Sequence, residues 1–253
     1  MTTAKPTDVP NGRSRGTKPV PVKANDRGRI GTATTASGAR TAESIRGTAV
    51  ELFFRHGYEA TSLREVAAAV GIQVGSLYNH IPSKEQLLYE IMSGVIEDLL
   101  AEVDANTEGL TDPVKRLRAM VSTHVLFHAE RSCEVFVGNS ELRSLSAEHR
   151  EAVVALRDQY EQRVTEVLAS GAKSGSFDVP DIKLLSYAIV SIGTQVSSWY
   201  QAEGRYKLHE ISDIYTDFIL RGLIKSADDR ARPMSHSVRP AKPATKKTAT
   251  VKR

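Results

Sequence analysis

The stretch Ser62–His80, SLREVAAAVGIQVGSLYNH, decides the fold. It opens with Ser62-Leu63-Arg64-Glu65, the pattern in which a serine hydroxyl accepts the amide of the third helical residue and the glutamate reaches back to the serine amide. A short helix therefore starts at Leu63. Gly71 supplies a residue that tolerates positive φ, and a second short helix follows over roughly 73–80. Two helices joined by so tight a turn cross at close range. The crossing needs a small side chain at the contact, Ala67, and apolar side chains toward a shared core: Leu63, Val66, Val70, Ile72 and Leu77. The second helix then exposes Gln73, Gly75, Ser76, Tyr78, Asn79 and His80, short or planar polar groups that reach base edges and phosphates. The spacing is that of a helix-turn-helix. An ordinary helical hairpin shares the small-Gly-apolar pattern, and spacing alone leaves both readings open.

Outward from this stretch the helical signals continue. Ile45, Ala49, Leu52 and Phe53 share one face of a helix that Gly57 can end. Ser83-Lys84-Glu85-Gln86 opens a longer helix running toward Asn106. Asp112-Pro113 offers an N-cap with proline at the first helical position, and Leu117, Val121, His124 and His128 then fall on one face. Val153, Leu156, Tyr160, Val164 and Val167 mark another long helix, with Gly171 to Gly175 expected to break it. Asp181 caps a helix bearing Ile182, Leu185, Ile189, Ile192, Val196 and Trp199, and a last helix carries Ile211, Ile214, Phe218 and Leu223. No period-2 stretch competes, so the expected class is all-α.

The net charge of +4 conceals segregation. Residues 1–40 hold eight Lys/Arg against two Asp/Glu, and residues 225–253 nine against two, leaving 17 against 26 in between. An acidic body with two basic arms suits a polyanionic partner, although such arms also occur as solubilising tails. Residues 1–39 and 227–253 have too few large apolar residues to offset ordering entropy and are expected to be disordered. The body divides into 40–93 and 94–226. The single cysteine, Cys133, forms no internal disulfide. No charged-then-apolar leader opens the sequence, and no apolar run approaches the ~20 residues of a membrane span. A cytoplasmic location without membrane contact is the expectation.

The segments Ala49–Phe53, Gly57–Ser62, Val66-Ala67, Val70-Gly71, Gly75–Tyr78 and Ser83–Glu85 together resemble the DNA-binding domain of the tetracycline-repressor (TetR) family, over Ile45–Ile91. The resemblance implies a helix-turn-helix domain followed by a helical ligand-binding and dimerisation domain, nine helices in all. It also implies a homodimer on a palindromic double-stranded DNA operator. Tyr78, His80 and Lys84 would grip phosphates, Ser62 and Arg64 would face the backbone, and Gln73, Val74, Ser76 and Asn79 the groove, with Gly75 also among the DNA-binding residues. Three positions depart from the family pattern: Gln73 where Ser or Thr usually caps, Val74 for a polar residue, and Ile81 for an aromatic. The first two put the base contacts in doubt, though Val74 can meet a thymine methyl. Residues 41–93 hold only four Lys/Arg against six Asp/Glu, so the N-terminal arm, with Arg27, Arg29 and Arg40, is expected to supply phosphate attraction.

Residues 112–226 also resemble the ligand-binding domains of this family. Asn139–Leu145 with Phe177, Trp199-Tyr200 and Gly204 is similar to regulators answering acyl-CoA thioesters or related lipid and aromatic catabolites, which implies a small hydrophobic effector. Phe127, Phe136, Asn139, Arg143, Tyr160, Trp199 and Tyr200 are candidates for an apolar pocket with a few polar anchors. His124 and His128, one turn apart, join them. That pair could also begin a metal site, but no third ligand is identifiable, and neither metal nor cofactor is expected. The Ile182–Trp199 seam recurs at +3 and +4 and suits a partner helix, with the last helix completing a four-helix dimer interface. Burial of the seam within one subunit is the alternative. No nucleophile elbow, phosphate loop or metal signature marks an enzyme. An architectural DNA binder, suggested by the Pro/Ala/Lys tail, would bind without sequence preference, which the varied polar groups on the second helix argue against.

Overall fold

The computed structural model describes residues 28–224, and among them every regular element is helical. Residues 1–27 and 225–253 lie outside that range, and with them Arg27 and the reading of 227–253 as disordered. The helix α1, Gly28–His56, begins well inside the arm expected to be disordered. The correction has a simple physical basis: once a packed segment has nucleated a helix, adding a residue is far easier than starting one. The described residues up to Thr41 cluster separately from those beginning at Ala42.

From Ala42 onward two hydrophobic clusters organise the chain. Ile45, Ala49 and Phe53 of α1 are buried in the first. Gly57, at φ 84°, ends the helix. The helix α2, Leu63–Val70, carries the expected capping box: the Ser62 amide donates to Glu65 Oε2 at 2.6 Å and the Glu65 amide to Ser62 Oγ at 3.3 Å. Gly71, at φ 78°, stops it, with the Ile72 amide returning to the Ala67 carbonyl at 2.9 Å. The helix α3, Val74–Tyr78, is shorter than the 73–80 expected. Gln73 gives it no side-chain cap, and Pro82 biases Ile81 away from helical geometry. Leu77, wholly buried, pins α3 to the core.

Ser83 caps α4, Lys84–Thr107, by accepting from the Gln86 amide at 2.9 Å. This helix serves both clusters. Leu87, Leu88 and Ile91 belong to the first, Leu99, Leu100 and Val103 to the second. The boundary expected between 93 and 94 therefore marks a change of core within one continuous helix. The helix α5, Pro113–Glu130, starts on the Asp112 cap and packs against α4 and three later helices: α7 (Ala147–Ser174), α8 (Ile182–Thr194) and α9 (Leu208–Leu223). Between α5 and α7 lies α6, Ser132–Ser140, which the sequence reading missed. Its residues SCEVFVGNS lack a side-chain cap and a clear apolar stripe, so tertiary contacts hold it.

The break expected over Gly171 to Gly175 falls at its far end: α7 runs through Gly171 to Ser174 and stops at Gly175 with φ 75°. Gly171 serves packing instead: a Cβ there would collide with the ring of Phe177. The helix expected to reach Trp199 ends at Thr194 and tightens into a 3₁₀ turn, Gln195–Ser198. No helix among the described residues is long and apolar enough to cross a membrane.

Candidate functional site

The pair α2 and α3 presents its polar groups on a rigid base. Arg64, Gln73, Gly75, Ser76 and Asn79 are exposed, as is half of Tyr78, while His80 is half-buried. Val74 is also half-buried and packs on the core, so only part of it is left for an outside contact. Ser62, Tyr78, Ser83 and Lys84 border one surface depression of about 480 Å³. Lys84 is committed to the scaffold as well. Its Nζ donates to the Tyr58 carbonyl at 3.0 Å and to the Glu59 carbonyl at 3.4 Å, and lies 4.2 Å above the Tyr58 ring. Burial pushes the Tyr58 phenol up to about 12. The first turn of α4 is thus fastened to the loop before α2.

The same turn is fastened to the other half. Glu85 accepts from the Ser146 amide at 2.9 Å and from His149 Nδ1 at 2.9 Å, and the His149 imidazole stacks on Tyr89 with centroids 4.0 Å apart. Desolvation works to raise the Glu85 pKa, but the Ser146 and His149 hydrogen bonds outweigh it and hold the carboxyl below its usual range. The N-terminus of α7 therefore rests on the helix that carries Lys84.

Behind this contact a cavity of about 220 Å³ opens. Met92, Val95, Ile96 and Leu99 from α4 make one apolar wall, with Val135 and Val190 opposite. Polar groups from α5, α6, α7 and α8 complete it: His124, His128, Asn139, Arg157, Tyr160 and Thr194. His124 Nδ1 is 2.7 Å from the Tyr160 hydroxyl and its Nε2 is 3.1 Å from Thr194 Oγ1. Gly193 permits the approach, since a Cβ there would strike the His124 ring. His128 stacks on His124 at 3.9 Å and its Nδ1 donates to the His124 carbonyl at 2.8 Å. A carbonyl only accepts, so neutral His128 keeps its Nε2 lone pair as an acceptor. Burial, with His128 alongside, holds His124 well below its ordinary pKa, and burial brings His128 to about 4. Burial likewise raises the Tyr160 phenol. The cavity floor is a neutral hydrogen-bonding network.

Four of the nine candidate pocket residues, His124, His128, Asn139 and Tyr160, line this cavity. The other five do not. Phe127 is buried edge-on to His128 behind the wall. Phe136 is 51% exposed and packs against Phe54. Arg143 is exposed. Trp199 lies against Tyr215, beyond the end of α8, and Tyr200 packs in the second core. The early end of α8 accounts for the last two. Arg157 was missed, although the sequence held its signal: it falls four residues after Val153 and three before Tyr160, a cation on an apolar face. Its Nη2 donates to the Gly138 carbonyl at 3.0 Å and lies 3.5 Å from Asn139 Oδ1, and burial lowers its pKa. No cluster of three or more metal-ligating residues exists among the described residues.

A third feature lies on α8 and α9. The expected seam turns largely inward, with Ile189 and Val196 buried and Ile182 and Leu185 packed on the core. The outward stripe is different: Leu184 is 65% exposed, Ile214 56% and Phe218 67%. Ile214 and Phe218 flank an apolar groove of about 660 Å³ together with Leu185, Ala188 and Ile192.

Residues 45–91 match the family of bacterial regulatory proteins of the tetR type, and residues 110–223 match the tetracyclin repressor-like C-terminal domain. Over 190 residues the chain is 30% identical to the HTH-type transcriptional repressor KstR2 of Rhodococcus jostii RHA1, covering 74% of this chain and 92% of that one. It superposes on the crystal structure of a tetR-family regulatory protein from Rhodococcus RHA1 with TM-score 0.68 and 34% identity, over 72% of this chain and 96% of that one. It also superposes on AibR in complex with isovaleryl coenzyme A and operator DNA, with TM-score 0.65 and 27% identity, over 70% and 97%.

Proposed function

The chain belongs to the TetR family of DNA-binding transcriptional regulators, and from that premise we propose a homodimeric repressor that leaves a palindromic operator when a small hydrophobic or acyl-CoA-type effector fills the cavity between α4 and α8. The observation that carries the reading is one helix shared by two sites. The first turn of α4 holds Lys84 beside the recognition helix, and its middle forms the wall of the cavity.

In this reading Gln73, Ser76 and Asn79 contact base edges, while Ser62, Arg64, Tyr78, His80 and Lys84 engage phosphates. Lys84 has a third N–H beyond the two given to carbonyls. The exposed stripe of Leu184, Ile214 and Phe218 is too apolar to face water as a monomer surface and packs on its copy. The resulting symmetry sets two α3 helices about 34 Å apart, one turn of DNA. An effector that wedges α4 from α7 acts on the Glu85–Ser146/His149 contact and so on the spacing of the two heads. Operator affinity falls by the difference in effector affinity between the two spacings. The protein carries no catalytic chemistry in this scheme and works in the cytoplasm.

The test is a titration against the DNA upstream of its own gene, at two salt concentrations, with and without a panel of acyl-CoA thioesters. Tight sequence-specific binding released by one thioester is the expected result. Binding without sequence preference would overturn the reading, and so would a fall in transcription from the operator when the gene is deleted.

A further inference from the structure

We propose that Arg157 is the anchor for an anionic group of the effector, and that the cavity encloses only a short apolar chain attached to that group. The inference rests on the cavity being the effector site. Four observations support it.

The first is the partner set of Arg157. Neighbouring arginines are paired with carboxylates: Arg131 with Glu134 and Asp98, Arg163 with Asp104. Arg157 meets only neutral oxygens, the Gly138 carbonyl and the Asn139 amide, and uses Nη2 for both. A guanidinium has five N–H donors in a planar fork, suited to two oxygens of one anion. The second is cost. Arg157 is half-buried, and a cation partly withdrawn from water without a counter-ion is held less favourably than a paired one; a bound anion would supply the pair. The third is the sign of the rest of the site. Glu134, the carboxylate in the lining, is already bonded to Arg131 by two N–H groups at 3.1 and 2.8 Å. His124 and His128 are neutral, so Arg157 supplies the positive end. The fourth is size. At about 220 Å³ the cavity is smaller than the ~300–1,000 Å³ of pockets that take drug-sized ligands, so it suits a short chain with its head group. A complete coenzyme thioester is several times larger, so its nucleotide must remain outside.

The anion is a carboxylate or a phosphate, and calorimetry on the full chain without DNA separates the two sources. Three probes share one tail: hexanoate, hexanoyl-CoA and 1-hexanol. The expected result is that at least one of the two anions binds about tenfold or more tighter than 1-hexanol. Arg157→Met abolishes that preference and Arg157→Lys retains part of it, both with melting curves near that of the parent. Preference for hexanoate identifies a carboxylate anchor, and preference for hexanoyl-CoA alone a phosphate anchor. If 1-hexanol binds as tightly as both anions, if R157M keeps the preference, or if none of the three binds, the proposal fails. Because no DNA is present, these outcomes leave the operator titration to judge the regulatory reading by itself.

Discussion

The two ends of α4 hold their functional groups by opposite means. At the reading head, Ser62 to Lys84 form one run of sequence, and local bonds fix it: the Ser62–Glu65 box, the left-handed Gly71 and the Ser83 cap. In the cavity the polar groups come from positions as far apart as His124 and Thr194, on four different helices. Each is placed by long-range packing, as at Gly193 against His124. The helix-turn-helix is specified by neighbours in sequence and the proposed effector cavity by neighbours in space. A substitution at the head should therefore act through local structure, and one at the cavity through packing and protonation.

The largest expected effect breaks the head. Leu77 is wholly buried beneath α3, and Leu77→Ala should cost about 2–5 kcal/mol, a large share of a domain's ~5–15 kcal/mol. Denaturant melts and operator binding should fail together. Ser76→Ala, next door on the exposed side, should leave stability within ~0.5 kcal/mol while weakening operator binding. If the two variants behave alike, the division between a scaffold face and a reading face is wrong.

Acid should strike the sensor first. His128 has a folded pKa of about 4, and His124 is also lowered. The unfolded chain takes up these protons near pH 6.5 while the folded chain resists, so stability is fully present above that pH and is lost as pH falls toward 4. The slope is about 1.4 kcal/mol per pH unit for each histidine. The lowered carboxyls of Glu85, Asp104 and Glu161 contribute losses only at lower pH. Denaturant melts at pH 7 and pH 5 should thus differ by roughly 2 kcal/mol for His128 alone, and His128→Gln should reduce the difference. Equal stability at the two pH values would refute the buried neutral pair.

The same substitution at two glycines sharpens the contrast. Gly193→Ala drives a methyl into the His124 ring and should cost ~1–3 kcal/mol, chiefly by disturbing effector binding. Gly71→Ala meets no side chain but forces a Cβ at φ 78°, a strain of ~1–2 kcal/mol, and should weaken operator binding instead. Effector calorimetry and operator titration on both variants read this crossing directly.

The contrast also explains what the sequence disclosed. The capping box, the turn at Gly71 and the inward set around Leu77 were all legible, because each rests on residues a few positions apart. His124, His128 and Tyr160 were legible as polar residues on apolar faces. Arg157 carried the same signal and was passed over. Phe127, Phe136, Arg143, Trp199 and Tyr200 do not line the cavity, because an aromatic or charged side chain near the right helix does not reveal which way the helix faces. The seam on α8 shows this best: its periodicity was real, but it serves two sides, with Ile189 and Val196 buried in the subunit while Leu185 and Ile192 also line the outer groove against α9. Gly171 and Gly175 part for a related reason. A glycine that admits a ring and a glycine that ends a helix look the same in one dimension.

The smallest expected effect concerns the head's charge. Residues 41–93 hold four Lys/Arg against six Asp/Glu, while residues 1–27 hold six against two. An acidic head gains phosphate attraction from basic residues elsewhere in the chain, and each phosphate neutralised adds about 0.9 to the slope of log affinity against log salt. Deleting residues 1–27 should therefore flatten that slope by one or two such steps without altering which sequence is preferred. Deleting 225–253, with nine Lys/Arg against two Asp/Glu, is the matched control, since it removes at least as much charge from the far end of the chain. If only the second deletion changes the slope, the C-terminal tail is the arm on the backbone. If neither does, the contacts of Arg64, His80 and Lys84 suffice, and the segregation of charge serves solubility.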